Sequence, residues 1–95
     1  MEIRQLRYFI KSAELLNFTE AAKASNIAES TLSQQIKQLE IELNILLFKR
    51  IKKHIELTEA GEMLLPYARR TVAGSEDAIQ RMKDLQNLHT GTLRI

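Results

Sequence analysis

The chain has 95 residues, of which 44% are hydrophobic and 27% are charged, as expected for a single globular domain with a modest core. It contains no cysteine, which excludes disulfides, thiolate metal sites and a cysteine nucleophile. The net charge is only +2, but residues 58–95 carry equal numbers of acidic and basic side chains, so the excess positive charge lies in the first 57 residues.

Three helical patterns occupy the first half of the chain. Apolar residues recur at three- and four-residue steps from about Glu2 to Leu16, which predicts a first helix. A short second helix is predicted from Glu20 to about Ser25, with Thr19 as its N-cap. The third helix is predicted from Glu29 to about Leu43, and it begins either with Ser30 as a cap or with a loosely held first turn.

Residues 46–57 predict a two-stranded ribbon with a basic tip. Ile55 and Leu57 alternate with polar residues, which is typical of a half-buried strand. A cluster of cations with no acid between them precedes this strand and consists of Lys49, Arg50, Lys52 and Lys53. Taken alone, such a cluster is more often a solvated loop than a phosphate-binding site.

Thr58 opens a long helical pattern that runs from Glu59 to about Leu88. A helix of that length is a rod of roughly 45 Å, which is too long to bury its apolar stripe against one small domain. The stripe approximates a heptad seam, so we expect it to pair with a second copy of the chain. The residues predicted to form this dimer seam are Leu65, Ala68, Val72, Ile79, Met82 and Leu85.

Residues 18–37 have the spacing of a helix-turn-helix. Ala22 supplies a small residue where the two helices cross, and Asn26 suits the tight turn four residues later. Leu32 and Ile36, on the second of these helices, are expected to fill the space where the two helices cross. The polar side chains opposite that stripe either form an ordinary solvated surface or contact base edges in a DNA major groove. The basic ribbon that follows favours groove contact.

We therefore predict a DNA-binding surface that combines the third helix, the start of the second helix and the ribbon. The cations of the ribbon are expected to lie along phosphates or to enter the minor groove, which makes binding depend steeply on salt. The residues predicted to contact DNA are Thr19, Glu29, Ser30, Thr31, Ser33, Gln34, Lys37, Arg50, Lys52 and Lys53.

Several short motifs, taken together, are typical of one family. They are Leu6-Arg7-Tyr8-Phe9, Phe18-Thr19 with Ala21-Ala22, Leu32-Ser33-Gln34-Gln35-Ile36, Leu39-Glu40 with Leu43, Leu47-Phe48 with Arg50, and Leu57-Thr58-Glu59-Ala60-Gly61. With these motifs the chain resembles the N-terminal part of a LysR-type transcriptional regulator over essentially all 95 residues. The final residues 91–95, which have the pattern of an incipient strand, resemble the start of the effector-binding domain of that family.

The resemblance implies a mainly α-helical fold: a winged helix-turn-helix of three helices and a two-stranded wing, followed by a long linker helix that dimerises. Residues 1–58 are expected to bind DNA, residues 59–89 to form the linker, and residues 90–95 to begin a further domain. The third helix would read the major groove and the wing would approach the minor groove. Two antiparallel linker helices would then place two such readers on an inverted repeat.

The resemblance further implies double-stranded DNA and a second copy of the chain as partners, with a tetramer left open for the intact protein. A small-molecule effector is expected on the further domain, and no cofactor or metal on this chain. The expected location is the cytoplasm, without membrane association. Ala28 stands where the family usually has a capping Ser, Glu29 where it has Gln, and Asn44 where a Gly is common; these departures concern base preference rather than fold.

Other chemistry finds no support in the sequence. There is no nucleophile elbow, phosphate-cradling glycine loop or zinc-ligand spacing, so we do not expect an enzyme. Two alternatives remain at this stage: a winged helix used for protein docking, and a DNA-binding regulator of the MarR-like or molybdate-responsive type. The basic wing argues against the first, and the run from Leu57 to Gly61 straight into a long helix argues against the second.

Overall fold

The computed structural model describes residues 1–93, with side chains described for residues 1–89. Within them the elements follow in the order α1 (Ile3–Leu15), α2 (Phe18–Ala24), α3 (Glu29–Leu43), β1 (Phe48–Ile51), β2 (His54–Leu57) and α4 (Glu59–Leu93). The first three helices and the β1–β2 hairpin pack together, and α4 extends from them, which gives the molecule dimensions of 62 × 25 × 19 Å. The predicted winged helix-turn-helix with a long trailing helix is confirmed.

The boundary between α1 and α2 differs from the prediction. α1 ends at Leu15 and is followed by Leu16, which adopts a left-handed conformation with φ of 50°. Asn17, and not Thr19, caps α2, because its side-chain oxygen accepts the Glu20 N–H at 3.0 Å. α2 therefore begins at Phe18, before the predicted start, and the hydroxyl of Thr19 is left for a different partner.

The turn between α2 and α3 is as tight as the sequence predicts. Asn26 has a φ of 58°, and the Ile27 N–H donates to the Ala22 carbonyl at 3.0 Å. α3 begins after Ala28, which provides no side-chain cap. Ser30 lies inside the helix, so the suggestion that it caps α3 is wrong.

The core lies where α1, α2, α3 and the wing converge. Leu6 and Phe9 of α1 and Leu32 of α3 have no exposed surface. The ring of Phe48 in β1 lies 5.6 Å from that of Phe9 and 5.3 Å from that of Phe18, measured between centroids. This aromatic cluster fastens the first strand of the wing to the two N-terminal helices.

The two halves of α4 have different surroundings. In the first half, Ala68 and Val72 are only 1% and 8% exposed, because they pack into the core of the same chain, and Leu65 is half-buried beside them. In the second half, the seam residues expose about half of their surface or more; they are Ile79 at 50%, Met82 at 61% and Leu85 at 49%. The first part of the predicted seam is thus covered by the same chain and the second part is exposed, and the dimer seam itself stays a prediction.

α4 also continues further than expected. The strand predicted to begin near residue 91 does not form within the described residues, because the helix runs on to Leu93; residues 94 and 95 lie outside the described part. The domain boundaries at residues 58, 59–89 and 90 stay predictions.

The wing and α4 meet at a crowded junction. The Thr58 N–H donates to the Leu47 carbonyl at 3.0 Å, and the Thr58 hydroxyl donates to the Leu46 carbonyl at 2.6 Å. The same hydroxyl accepts the Gly61 N–H at 3.1 Å, which caps α4. A Cβ at Gly61 would lie 2.3 Å from the Leu47 carbonyl oxygen and 2.7 Å from the side chain of Leu57. No side chain fits at this position without moving the backbone.

We predict that Gly61→Ala lowers the free energy of unfolding by about 1–3 kcal/mol, since the added methyl group collides with a backbone carbonyl. Glu62→Ala, at the exposed residue that follows Gly61 on the same helix, is the control. It should change the free energy of unfolding by about 0.5 kcal/mol or less. Urea unfolding of both variants measures the difference, and equal midpoints would contradict the crowding at residue 61.

Candidate nucleic-acid interface

α3 presents a polar face to solvent opposite its buried stripe. Leu32, Ile36 and Leu39 point into the core, so the residues between them point outwards. Ser33 on this face is half-buried, and the remaining predicted contact residues are exposed: Glu29, Ser30, Thr31, Gln34 and Lys37. The face contains hydrogen-bond donors and acceptors, as major-groove base edges require.

The start of α2 meets the start of α3 on the same side of the molecule. The Thr19 hydroxyl donates to Oε1 of Glu29 at 2.6 Å, and both residues are exposed. The structure therefore brings together two predicted contact residues that lie on different helices.

A groove of about 580 Å³ separates α3 from the wing. Lys37 and Ser33 line it from α3, and Arg50 lines it from β1. Phe48 and Arg50 share the inner side of the ribbon because side chains alternate along a strand, and the Arg50 guanidinium lies 5.1 Å from the centre of the Phe18 ring. The sequence groups Arg50 with the basic tip, but the structure places it in this groove.

The tip of the wing carries the remaining basic residues. Lys52 and Lys53 connect the paired residues Ile51 and His54, and both lysines are exposed and form no ion pair within the described part of the chain. Lys49 differs, because its ammonium lies 3.9 Å from a carboxylate oxygen of Glu56 across the ribbon. The tip of the wing therefore carries unneutralised charge, in addition to that of Arg50 in the groove.

Glu40 is a positioning residue that sequence reasoning missed. Its Oε2 accepts the Leu47 N–H at 2.8 Å and the Phe48 N–H at 3.3 Å, which fixes the start of β1 to α3. Glu40 also lines the groove. A carboxylate on a helix face carries no sequence signal for this role, because the residues it anchors are separated from it by a turn.

We predict that Glu40→Ala destabilises the protein by about 1–3 kcal/mol, because two backbone N–H groups lose a charged acceptor. The amides of Leu47 and Phe48 should exchange with deuterium faster than in the unaltered protein. Glu62→Ala, at an exposed carboxylate of α4, is the control and should change stability by about 0.5 kcal/mol or less. Unchanged exchange at residues 47 and 48 in Glu40→Ala would contradict the anchoring role.

None of the helices in the described part of the chain is both long enough and apolar enough to cross a membrane. The described residues also contain no group of three or more His, Cys, Asp or Glu side chains arranged to hold a metal ion.

These features define a winged helix-turn-helix in which α3 and the basic wing lie on one surface. A model of the bacterial regulatory helix-turn-helix proteins of the lysR family matches residues 3–62. The chain belongs to the LysR family of transcriptional regulators. The MarR-like and molybdate-responsive alternative is therefore rejected.

Curated relatives are regulators that extend beyond the matched region. The transcriptional regulator BudR of Klebsiella aerogenes is 43% identical over 95 residues, which cover 100% of this chain and 66% of BudR. AlsR of Bacillus subtilis (strain 168) is 52% identical over 69 residues, which cover 73% of this chain and 23% of AlsR. The chain thus spans less than two thirds of the length of these relatives.

Solved structures of the same architecture include complexes with DNA. The crystal structure of the CbnR DBD–DNA complex has a TM-score of 0.85 and 36% identity, covering 90% of this chain and 99% of that one. The BenM DBD/catB site 1 DNA complex has a TM-score of 0.86 and 35% identity, covering 90% of this chain and 96% of that one.

Proposed function

We propose that this chain binds double-stranded DNA in a sequence-specific manner and regulates transcription, with α3 in the major groove. The observation that carries the proposal is the exposed polar face of α3, bordered on one side by a groove that holds Lys37 and Arg50. A helix with one buried stripe and one hydrogen-bonding face fits a groove about 12 Å wide. The DNA complexes of the BenM and CbnR domains support this docking, and DNA as the proposed ligand supports a cytoplasmic location.

We propose that the wing contacts the DNA backbone and the minor groove. Lys52 and Lys53 carry unneutralised charge at the end of a ribbon that projects beside α3. Arg50, which is stacked over Phe18, faces the groove between α3 and the ribbon, where a phosphate would meet both it and Lys37. Base readout and phosphate binding are thereby given to different parts of the surface.

We predict a division of labour between the two parts. Ser33→Ala and Gln34→Ala should change the preference among bases by about 1–3 kcal/mol. Lys52→Ala should weaken binding to all sequences alike and lower the slope of log K against log salt concentration by about 1. Fluorescence anisotropy with a selected site and with random DNA, over a range of salt, measures both quantities. Equal losses on every sequence for all three variants would refute the division.

The competing assignment, protein docking, is tested with the unaltered chain. A protein with a DNA-binding surface of this charge binds random-sequence DNA at low salt and lowers its mobility in a gel. Complete absence of retardation would contradict the proposed function and favour docking.

We further infer that the chain forms a homodimer through α4, but along a face that differs from the predicted seam. Because α1 covers the side of α4 that carries Ala68 and Val72, a second copy has to pack on another side of the first half of α4. At helical spacing, exposed apolar and small residues follow one another along that side; they are Met63, Tyr67, Gly74, Ala78 and Leu85. Met63 and Tyr67 expose 65% and 59% of their surface, so both side chains are accessible to a second copy.

An antiparallel pair of α4 helices would bury this face along its whole length. If Met63 of one copy packs on Leu85 of the other, the two-fold axis passes Gly74, which is midway between them. A Cβ at Gly74 meets nothing within 4 Å in the single chain, so the axis lies on open surface. The small residue allows the two helices to approach closely.

We predict that Gly74→Cys forms an intermolecular disulfide on mild oxidation, because the two copies of this residue meet at the axis. The chain has no native cysteine, so the new thiol is the only one. Leu85→Cys is the control: in an antiparallel pair its two copies lie about 30 Å apart and cannot be bridged. Crosslinking at residue 85, or sedimentation of the unaltered chain as a monomer, would contradict this dimer.

The intact regulator is proposed to carry an effector-binding domain in addition to this region. The relatives are longer than the matched region, which supports this assignment. A small molecule bound to that domain would govern activation or repression. We assign no catalytic step to the chain, since the matching relatives are transcriptional regulators.

A further inference from the structure

The hydrogen bond between Thr19 and Glu29 joins the two helices of the helix-turn-helix at their N-terminal ends. The donor is the Thr19 hydroxyl and the acceptor is Oε1 of Glu29, at 2.6 Å. Asn17 already caps α2, so the Thr19 hydroxyl is not needed there. The bond therefore serves to hold the Glu29 side chain rather than to complete α2.

The Glu29 side chain is accessible in this arrangement. It is the first residue of α3, where the helix dipole favours a carboxylate, and Ala28 before it provides no side-chain cap. No basic side chain of the described residues forms an ion pair with Glu29, and its Oε2 accepts no hydrogen bond from them. A fixed acceptor with a full negative charge thus stands at the end of α3 that leads into the proposed interface.

Such a group is costly beside DNA unless a base compensates it. The phosphates repel a carboxylate on every sequence, whereas a major-groove amino group can donate to it. Guanine and thymine present acceptors in the major groove, which repel Oε2. Adenine has an amino group but also the N7 acceptor beside it, whereas cytosine presents its amino group without an acceptor of its own.

We infer that Thr19 positions Glu29 to read the N4 amino group of a cytosine in each half-site, so that the two residues form a specificity pair. This inference rests on the proposed function, because it requires α3 to lie in the major groove. Thr19 then acts through Glu29, and its hydroxyl proton is not donated to a phosphate. Discrimination arises as much from rejecting guanine and thymine as from accepting cytosine.

The test measures binding of the 95-residue chain to a panel of duplexes that carry each of the four bases at every position of a selected half-site. The unaltered chain should prefer cytosine at one position by about tenfold or more. Glu29→Gln should reduce that preference to less than about threefold and bind random DNA more tightly, since it removes a negative charge. Thr19→Val, which keeps the shape of the side chain but not its hydroxyl proton, should weaken the cytosine preference in the same direction as Glu29→Gln.

Thr19→Ser is the matched control for the positioning role. It restores the donor, so it should recover the cytosine preference that Thr19→Val loses, whereas simple damage to the packing of α2 would not be rescued in this way. The cytosine position should be the same in all variants that retain a preference.

Two results would overturn the inference and leave the proposed function intact. One is tighter binding of Glu29→Gln to all duplexes by the same factor, which would make Glu29 a repulsive group without base readout. The other is an unchanged preference in Thr19→Val, which would remove the positioning role of Thr19. Failure of the unaltered chain to bind any duplex at low salt would instead contradict the proposed function itself.

Discussion

The hydrogen bonds from the Leu47 and Phe48 N–H groups to Glu40 determine the geometry of the whole interface. An isolated two-stranded hairpin is marginally stable in water, so the ribbon depends on what it is fastened to. Glu40 ties the start of β1 to α3, Phe48 packs against the aromatic rings of α1 and α2, and Thr58 ties the end of β2 to the residues before β1. The width of the groove that Arg50 and Lys37 share follows from these attachments.

The long helix has two apolar sides, and each has its own task. The side with Ala68 and Val72 completes the core of the chain and sets the angle at which α4 leaves the domain. Two ion pairs, Arg7 with Glu76 at 2.8 Å and Arg69 with Glu14, hold the same angle at the surface. If a second copy packs on the other side, the spacing between the two reading helices is set by rigid elements alone. A regulator needs that rigidity, because half-sites on DNA have a fixed separation.

The parts of the structure that could be predicted from the sequence are those with a strong local signal. α3 was placed at its observed ends, since its apolar stripe stops at Asn44, and the reading face follows from that stripe. The cap of α2 was misassigned because Asn17 and Thr19 are both good capping residues two positions apart. The anchoring role of Glu40 and the division of α4 depend on which segments meet in space, and periodicity identifies apolar residues without identifying what covers them.

The backbone at the end of the wing has a consequence for how this surface can change. Lys52 has a φ of 56°, a conformation that costs a residue with a side chain roughly 1–2 kcal/mol and that glycine or asparagine adopts more readily. Replacement by glycine would relax the hairpin but would also remove one of the two lysine charges at its tip. Relief of backbone strain and attraction to DNA phosphates thus oppose each other at residue 52. Variants selected only for thermal stability are therefore expected to bind DNA more weakly.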